Sequence, residues 1–311
     1  MSASAPQSPK YDDKLTVRRI PFEFPADLDP HWHPHEIEWG HMVNGASLSM
    51  PYLEPYLIKS VREGLTAIDD EDLKQVANTY CAQEGQHYRQ HRRFNDLLIE
   101  SGYPGLREVE EQIKQSFDRL LNTKSLEWRL GYAAGFESMA LAVGHWLVNN
   151  RERLFGGSDT RVASLILWHF VEELEHKNAA LDVYQYLVDK YFLRVYMIWY
   201  ATFHVIKYTR RAYIVMLEKD GLWNKLRSRL RLYGNVARFF AQVLPHMVRC
   251  SLPGHSPRRI EDPPWVKDWV AAYQHDEDTV PLLDTANLGR ALHGAGQLEA
   301  AAPPAHPPAT A

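Results

Sequence analysis

The sequence predicts an all-α protein in which a four-helix bundle is followed by additional C-terminal helices. From about Leu48 onward, apolar residues recur every three or four positions, as they do on one face of a helix. Residues 44–190 show no convincing alternation of apolar and polar residues, the pattern typical of a strand. Two Glu-x-x-His motifs, beginning at Glu84 and Glu173, lie on the apolar faces of two of these helices, where a core residue would be expected.

The elements follow in order from the N-terminus. Residues 1–43 are predicted to form a polar tail and a proline-rich extended arm. Residues 44–190 form the bundle, with helices near 44–67, 70–101, 106–121, 124–153 and 158–190, and with Asp70 and Ser158 as candidate N-caps. Residues 191–284 are predicted to be a C-terminal helical extension packed on the bundle, with helices near 191–219, 222–251 and 263–274. Residues 285–311, rich in Ala and Pro, are predicted to be a disordered tail.

Composition and charge limit the classes of function. The 311 residues are 45% hydrophobic, which supports a packed core, and the net charge of −4 gives no reason to expect a nucleic-acid partner. Cys81 and Cys250 form neither a disulfide framework nor a zinc-binding spacing. The N-terminus lacks the apolar run of a secretory signal. We therefore expect a cytoplasmic protein, with membrane association left open.

Four carboxylates occupy positions on the helical stripes where apolar residues are expected. Two belong to the motifs Glu84-x-x-His87 and Glu173-x-x-His176, and the others are Glu54 and Glu137 on two further helices. Burying four unpaired carboxylates would cost several kcal/mol each, and two divalent cations would balance their charge. Glu and His three positions apart lie on adjacent turns of one helix face, so both can reach the same ion. The pattern therefore predicts a dinuclear metal site.

Other histidines and acids near these positions leave alternatives open. His169, one turn before Glu173, is either a further ligand or a residue that hydrogen-bonds to one. His91 and His145 face inward and are expected to be supporting or core residues. Glu172 is a reserve ligand, in case the helix register is shifted by one, and Glu175 is expected to be solvated. Tyr80 and Tyr132 lie near the site by helical count and are expected to be core aromatics, with a redox or hydrogen-bonding role as the alternative.

The most visible histidine cluster is the run HWHPHEIEWGH. Its histidines could form a second metal site or could pack over the mouth of the bundle, and the proline-rich setting favours packing. They are His31, His33, His35 and His41.

Three stretches carry a resemblance to known families. The run RRIPFEFPADLDPHWHPH, the Glu84-x-x-His87 helix and the segment WHFVEELEHK resemble bacterial proteins grouped as predicted metal-dependent hydrolases, over roughly residues 17–275. The metal-ligand pattern also resembles that of ferritin-like di-iron oxygenases of the p-aminobenzoate N-oxygenase type, which have an extra histidine four residues before the second Glu-x-x-His. The resemblance implies a ferritin-like bundle with a metal-ligand set of Glu54, Glu84, His87, Glu137, His169, Glu173 and His176.

These ligand types lead to three expectations about function. Carboxylates with imidazoles suit two metal ions, with iron expected first and manganese or a mixed pair as alternatives. The main expectation is a di-iron oxygenase that activates O₂ to oxidise or hydroxylate a small organic substrate, with apolar substrates included, and that needs an electron donor. The alternatives are a dinuclear metal-dependent hydrolase and a non-enzymatic ferritin-like metal-binding protein. No catalytic residue beyond the metal ligands is predicted.

Residues 191–231 combine aromatic side chains with many Lys and Arg residues. Such a segment could cover the bundle, form a homodimer interface or lie on an anionic membrane surface. Its uncharged run between Arg194 and Lys207 is too short to span a bilayer.

Overall fold

The computed structural model describes residue 11 and residues 14–20, 22–275 and 279–289, and this part of the chain is helical throughout its core. It contains a single 3₁₀ turn at Pro257–Arg259 and one isolated parallel bridge between Arg19 and Thr279. The α-helices are α1 (Ile37–Ser47), α2 (Met50–Leu65), α3 (Glu71–Glu100), α4 (Leu106–Thr123), α5 (Leu126–Asn149), α6 (Arg151–Phe155), α7 (Thr160–Glu175), α8 (Ala179–Leu187), α9 (Tyr191–Lys219), α10 (Leu226–Ser251) and α11 (Pro264–Ala272). The predicted all-α class is confirmed.

Side-chain caps fix where several of these helices begin. Asp70 accepts a hydrogen bond from the backbone N–H of Leu73, as expected for an N-cap of α3, and Ser125 caps α5 in the same way. At α7 the cap is Asp159 rather than the predicted Ser158. The Ser158 hydroxyl instead donates to the carbonyl of Phe155.

Helix α5 is the central element. It is buried around nearly its whole circumference and contacts α2, α7, α8, α9 and α10, which is typical of a helix that is apolar on every side. Its backbone passes so close to α9 that a Cβ at Gly135 would lie 2.5 Å from the carbonyl carbon of Met197. Only glycine permits this approach. The long helices α2, α3, α5 and α7 thus bring their apolar faces together around one interior.

The helix boundaries differ from the prediction at four places, one of which is the division of the predicted helix 44–67 into α1 and α2 at residues 48–49. Helix α1 begins at Ile37, so the C-terminal end of the predicted arm is helical. The predicted helix 124–153 divides into α5 and α6, and the predicted helix 158–190 divides into α7 and α8 at residues 176–178. At this last break the ammonium of Lys177 is held outside the helix by Asp262, at 2.6 Å, and by the carbonyl of Ile260. His176 consequently lies at the C-terminal end of α7.

The chain termini pack on the bundle where they are described. The arm residue Phe22 makes an edge contact with Trp168, and the side chain of Gln90 donates to the carbonyl of Ile20. Leu283 and Leu288 are buried, so the predicted disordered tail does not begin at 285. The rest of that tail, from residue 290, lies outside the described residues. Within the described ranges, no helix is both long enough and apolar enough to cross a membrane.

Candidate metal centre

All seven residues predicted to be metal ligands lie together in the interior of the bundle, and each has 3% or less of its surface exposed. They fall into two groups, in each of which the candidate ligand atoms lie within 4.8 Å of one another. One group is Glu54, His87 and His169, and the other is Glu84, Glu137, Glu173 and His176. We call these seven residues the bundle cluster. Four helices supply them, since α2 carries Glu54, α3 and α7 carry the motifs, and α5 carries Glu137.

The second group surrounds a space of the size of a cation. Nε2 of His176 lies 3.3 Å from Glu84 Oε1, 3.4 Å from Glu173 Oε2 and 3.6 Å from Glu137 Oε2. Atoms that each bind one ion at about 2.1 Å lie roughly 3–3.5 Å from one another in tetrahedral or octahedral geometry. These separations therefore match ligands around a shared ion better than direct hydrogen bonds.

The first group lies beside the second, and two carboxylates of the second group also face the first. Nδ1 of His87 is 3.8 Å from Glu84 Oε2 and 3.8 Å from Glu173 Oε1. Nε2 of His169 is 2.9 Å from Glu173 Oε1 and 3.9 Å from Glu54 Oε1. Glu84 and Glu173 thus direct one oxygen toward each group, so both carboxylates would be able to help hold an ion in either group.

Many polar atoms of the bundle cluster have no protein partner. Eight buried atoms lack a hydrogen bond: both carboxylate oxygens of Glu54 and of Glu84, Oε2 of Glu137 and of Glu173, Nδ1 of His87 and Nε2 of His176. Each buried, unsatisfied polar atom costs about 1–3 kcal/mol, and more when it is charged. Because all eight are potential metal-ligand atoms in one small region, the residues present fit bound cations.

The electrostatics of the bundle cluster lead to the same inference. Burial, reinforced by Glu84 and Glu173, raises the pKa of Glu54 well above its usual value, and burial with Glu173 does the same to the pKa of Glu137. Burial also acts to raise the pKa of Glu173, but His176 and His169 outweigh it and hold that pKa well below its usual value. Protein groups alone therefore do not keep all four carboxylates ionised, whereas divalent cations would.

Two of the three imidazoles are oriented by side chains outside the cluster. Nε2 of His87 lies 3.0 Å from Glu172, whose other oxygen accepts a hydrogen bond from Arg18 at 2.9 Å. Nδ1 of His176 lies 3.0 Å from the side-chain oxygen of Gln83. Since these partners are acceptors, the outer nitrogen of each ring donates a proton to them, and the inward nitrogen is the one that would bind a metal ion after losing its own proton, as in metal-binding histidines.

The third imidazole is held by a relay. Nδ1 of His169 lies 2.7 Å from Nε2 of His91, and Nδ1 of His91 lies 2.8 Å from the hydroxyl of Ser47. The Ser47 hydroxyl donates to Asn95 at 2.7 Å, so a consistent set of donors leaves Nε2 of His169 unprotonated. His91 is thus a supporting residue, as expected, and the geometry favours a ligand role for His169.

Sequence reasoning misplaced one acid and missed one cation. The side chain of Glu175 is only 6% exposed and is paired with Arg18 at 2.8 Å, so the expectation that it is solvated is wrong. Glu172, the reserve ligand, binds Arg18 and His87 rather than joining the cluster. Arg18 was not predicted because it lies in the arm, far from these acids in the chain, and the arm was interpreted only from its prolines.

The two tyrosines near the site have different partners. The Tyr80 hydroxyl donates to Oε1 of Glu137 at 2.7 Å, so Tyr80 has the hydrogen-bonding role rather than the purely apolar role that was favoured. The Tyr132 hydroxyl is 2.8 Å from His204 on α9 and lies within an aromatic group. His145 stacks near His246 and is a buried residue outside the bundle cluster.

The histidine-rich run of the arm forms a second group, which we call the arm cluster: His31, His41, Asp220 and Tyr103. Nε2 of His31 and Nε2 of His41 lie 2.8 and 2.6 Å from Oδ2 of Asp220, and the Tyr103 hydroxyl donates to Asp220 Oδ1 at 2.9 Å. Burial acts to raise the pKa of Asp220, but these hydrogen bonds lower it to about 2. His33 and His35 do not belong to this group.

The arm cluster is a closed hydrogen-bond network. Asn44 accepts from the Trp32 indole, which directs its amide N–H₂ toward Nδ1 of His41. His41 therefore carries its proton on Nε2 and donates it to Asp220. A protonated Nε2 cannot bind a metal, so the geometry favours the packing role expected for these histidines.

A family model described as "Predicted metal-dependent hydrolase" matches residues 16–261. No curated protein and no solved structure matches the chain. The family match contradicts the expectation of an O₂-activating di-iron oxygenase and agrees with the hydrolase alternative. The ligand pattern could not separate the two, because carboxylates with imidazoles serve both chemistries. The chain belongs to the predicted metal-dependent hydrolase family.

Proposed function

We propose that the protein is a hydrolase that works with two divalent metal ions held by the bundle cluster. One ion would be held by Glu84, Glu137, Glu173 and His176. The other would be held by Glu54, His87 and His169, together with the second oxygens of Glu84 and Glu173. The observation that carries the proposal is the set of eight unpartnered ligand atoms in one buried region, and the family match supports hydrolytic chemistry.

The metal ions would supply Lewis-acid polarisation of the scissile group and would lower the pKa of water at the site. The protein's own residues orient the ligands and keep bulk water out. Glu172, Gln83 and His91 fix the three imidazoles through their outer nitrogens. The Trp168 ring packs against His87 and the Tyr80 ring against His176, with ring centroids 4.8 and 4.9 Å apart.

The ligand types narrow the choice of metal. Six or seven carboxylate and imidazole ligands without a thiolate favour Mn²⁺, Fe²⁺ or Zn²⁺ over soft ions. Both cysteines have raised pKa values because they are buried, and neither belongs to the bundle cluster.

The charge of the site favours an uncharged substrate. Four carboxylates with two divalent ions give no net charge. Two buried cations are already paired, Arg18 with Glu172 and Glu175 and Lys177 with Asp262. A phosphate group would find no uncommitted positive side chain there, so we propose that the scissile group is a carboxylic ester or amide.

The test compares substrates and metals on the same protein. Metal-free protein is reloaded with Mn²⁺ and assayed with p-nitrophenyl butyrate and with p-nitrophenyl phosphate, in air and under nitrogen. The proposal predicts ester hydrolysis that requires metal, does not require O₂ and is lost in His176→Ala. Asp182→Asn is a matched control, because Asp182 is a buried, Arg-paired carboxylate outside the cluster. Ester hydrolysis that persists without metal or in His176→Ala would refute the proposal.

A further inference from the structure

Charge is distributed unevenly along the chain. Residues 191–251, which include α9 and α10, contain eleven Lys and Arg but only two Asp and Glu. The remainder of the chain contains 24 Lys and Arg and 37 Asp and Glu. A protein with a net charge of −4 therefore has one strongly positive region, which attracts anionic partners.

Helix α10 has two apolar faces. Leu232, Val243 and Met247 on one face are buried against the rest of the molecule, and this face accounts for the packing of the helix. On another side of the helix, exposed apolar residues recur every three, four or seven positions along its length. We call this set the outer stripe: Leu226, Leu230, Tyr233, Phe240, Leu244 and Val248, which are 73, 65, 52, 39, 43 and 47% exposed.

The beginning of α9 adds to this surface. The Tyr191 hydroxyl donates to the carbonyl of Ser251, and Arg194 donates to the carbonyl of Cys250, so the start of α9 is fixed beside the end of α10. Phe192 and Tyr196, in the first two turns of α9, are 84 and 55% exposed. Single exposed apolar residues are ordinary, but a group of them on neighbouring helix segments is uncommon on a surface that contacts only water.

Positive side chains run beside the outer stripe. Helix α10 and the residue before it contain six Lys and Arg and no Asp or Glu: Lys225, Arg227, Arg229, Arg231, Arg238 and Arg249. Of these, Arg231 has a distant acidic partner, since it lies 3.9 Å from Glu38. A second copy of the chain docked on this surface would bring like charges together in a region of low dielectric, which opposes association.

We propose that the outer stripe and the start of α9 bind the surface of an anionic lipid bilayer, with α10 lying parallel to the membrane plane. The apolar side chains would enter the boundary between headgroups and acyl chains, and the flanking Arg residues would contact lipid phosphates. Tyr191, Tyr196 and Tyr233 suit this boundary because each has an apolar ring and a polar tip. No described helix can span a bilayer, so the contact is peripheral. The inference does not depend on the proposed hydrolase activity.

Co-sedimentation of the full-length, metal-loaded protein with vesicles tests the proposal. Vesicles of phosphatidylcholine alone are compared with vesicles in which about a quarter of the lipid is phosphatidylglycerol. We expect the partition coefficient for the anionic vesicles to be higher by roughly ten-fold or more. This coefficient should fall when NaCl is raised to about 0.5 M. Leu230→Glu/Leu244→Glu should lower the partition coefficient roughly ten-fold or more, because it places charge within the acyl boundary. Leu282→Glu, at another exposed leucine, is the matched control and should bind like the wild type.

Three results would overturn the proposal. The first is wild-type protein that ignores anionic vesicles, and the second is a Leu230→Glu/Leu244→Glu variant that binds as well as wild type. The third is a wild-type protein that does not bind vesicles but sediments as a dimer, together with a double variant that sediments as a monomer. That third result would make the outer stripe a self-association surface. The variants are expected to fold because the substituted leucines are exposed. Circular dichroism and metal content check this.

Discussion

The bundle cluster and the arm cluster contain the same kinds of residue but differ in how their polar atoms are satisfied. Both bring histidines and carboxylates within 4.8 Å of one another. In the bundle cluster the separations around His176 are 3.3–3.6 Å, and eight atoms have no partner. In the arm cluster Asp220 lies 2.6 and 2.8 Å from two imidazoles and also accepts from Tyr103.

This difference shows that residue type and proximity are not enough to identify a metal site. A closed network such as the arm cluster satisfies its polar atoms internally, so no ion is needed. The bundle cluster leaves its atoms aimed at common points, and burial makes that arrangement costly without a cation. The arm cluster thus stabilises the fold by joining the arm, α1 and the end of α9.

The largest effect should follow from removing a shared carboxylate. Glu173→Gln keeps the shape of the side chain but removes the charge that faces both groups of the bundle cluster. We expect metal affinity to fall by about 100-fold or more, with loss of the metal-dependent rise in Tm, because binding stabilises only the folded state. Isothermal titration with Mn²⁺ and thermal unfolding with and without metal measure both effects. Wild-type affinity in Glu173→Gln would show that Glu173 is not a ligand.

Removing an outer hydrogen-bond partner should have a smaller effect. Glu172→Gln weakens the acceptor that orients His87 and leaves every proposed ligand in place. We expect a 10- to 100-fold lower metal affinity, as is common when the residue behind a histidine ligand is changed. Asp182→Asn, the remote Arg-paired control, should bind metal normally. If Glu172→Gln and Asp182→Asn bound metal with equal affinity, the orientation of His87 by Glu172 would not contribute to metal binding.

Metal affinity should rise with pH. Burial raises the pKa of Glu54 and of Glu137, and nearby carboxylates outweigh burial to raise the pKa of His176, so these groups favour their protonated forms before metal binds. Cations must displace those protons, so affinity should increase by roughly ten-fold per pH unit for each proton released. Titrations at one pH in buffers of different ionisation enthalpy measure the proton count. A count of zero would contradict these protonation states.

The smallest effect on stability is expected from a substitution in the arm cluster. Such a substitution should leave metal binding unchanged. The pKa of Asp220 is lowered to about 2 from a usual value of 3.8, so its contribution to stability is present above about pH 4 and is lost as the pH falls toward 2. Asp220→Asn should therefore lower the free energy of unfolding at pH 7 by about 1 kcal/mol, because the group is partly exposed to solvent. Urea unfolding at pH 7 and near pH 3 should show the difference between variant and wild type shrinking at the lower pH. A loss of bound metal in this variant would mean that the two clusters are not distinct.

Local sequence patterns predicted the helices and the convergence of the seven residues. Glu54, Glu84, Glu137 and Glu173 each interrupt an apolar stripe, and a stripe must face the core, so their meeting follows from helix periodicity. Their assignment as metal ligands stays a prediction. The chemistry was predicted wrongly, because the ligand set alone does not choose between oxygen activation and hydrolysis.

Long-range pairings could not be predicted from the sequence. The contacts of Arg18 with Glu172, of Lys177 with Asp262 and of His41 with Asp220 join residues that are distant along the chain. Lys177, which pairs with Asp262, lies in the break at 176–178, where local periodicity predicted one continuous helix. The orienting hydrogen bonds of the imidazoles were missed for the same reason.

Anomalous diffraction from crystals of Mn²⁺-loaded protein would locate any metal ions bound in the bundle. We expect two strong anomalous peaks inside the bundle, one among Glu84, Glu137, Glu173 and His176 and one among Glu54, His87 and His169. We expect no peak at His31, His41 and Asp220. A bundle without anomalous peaks, or a peak confined to the arm cluster, would show that the bundle cluster does not hold two metal ions.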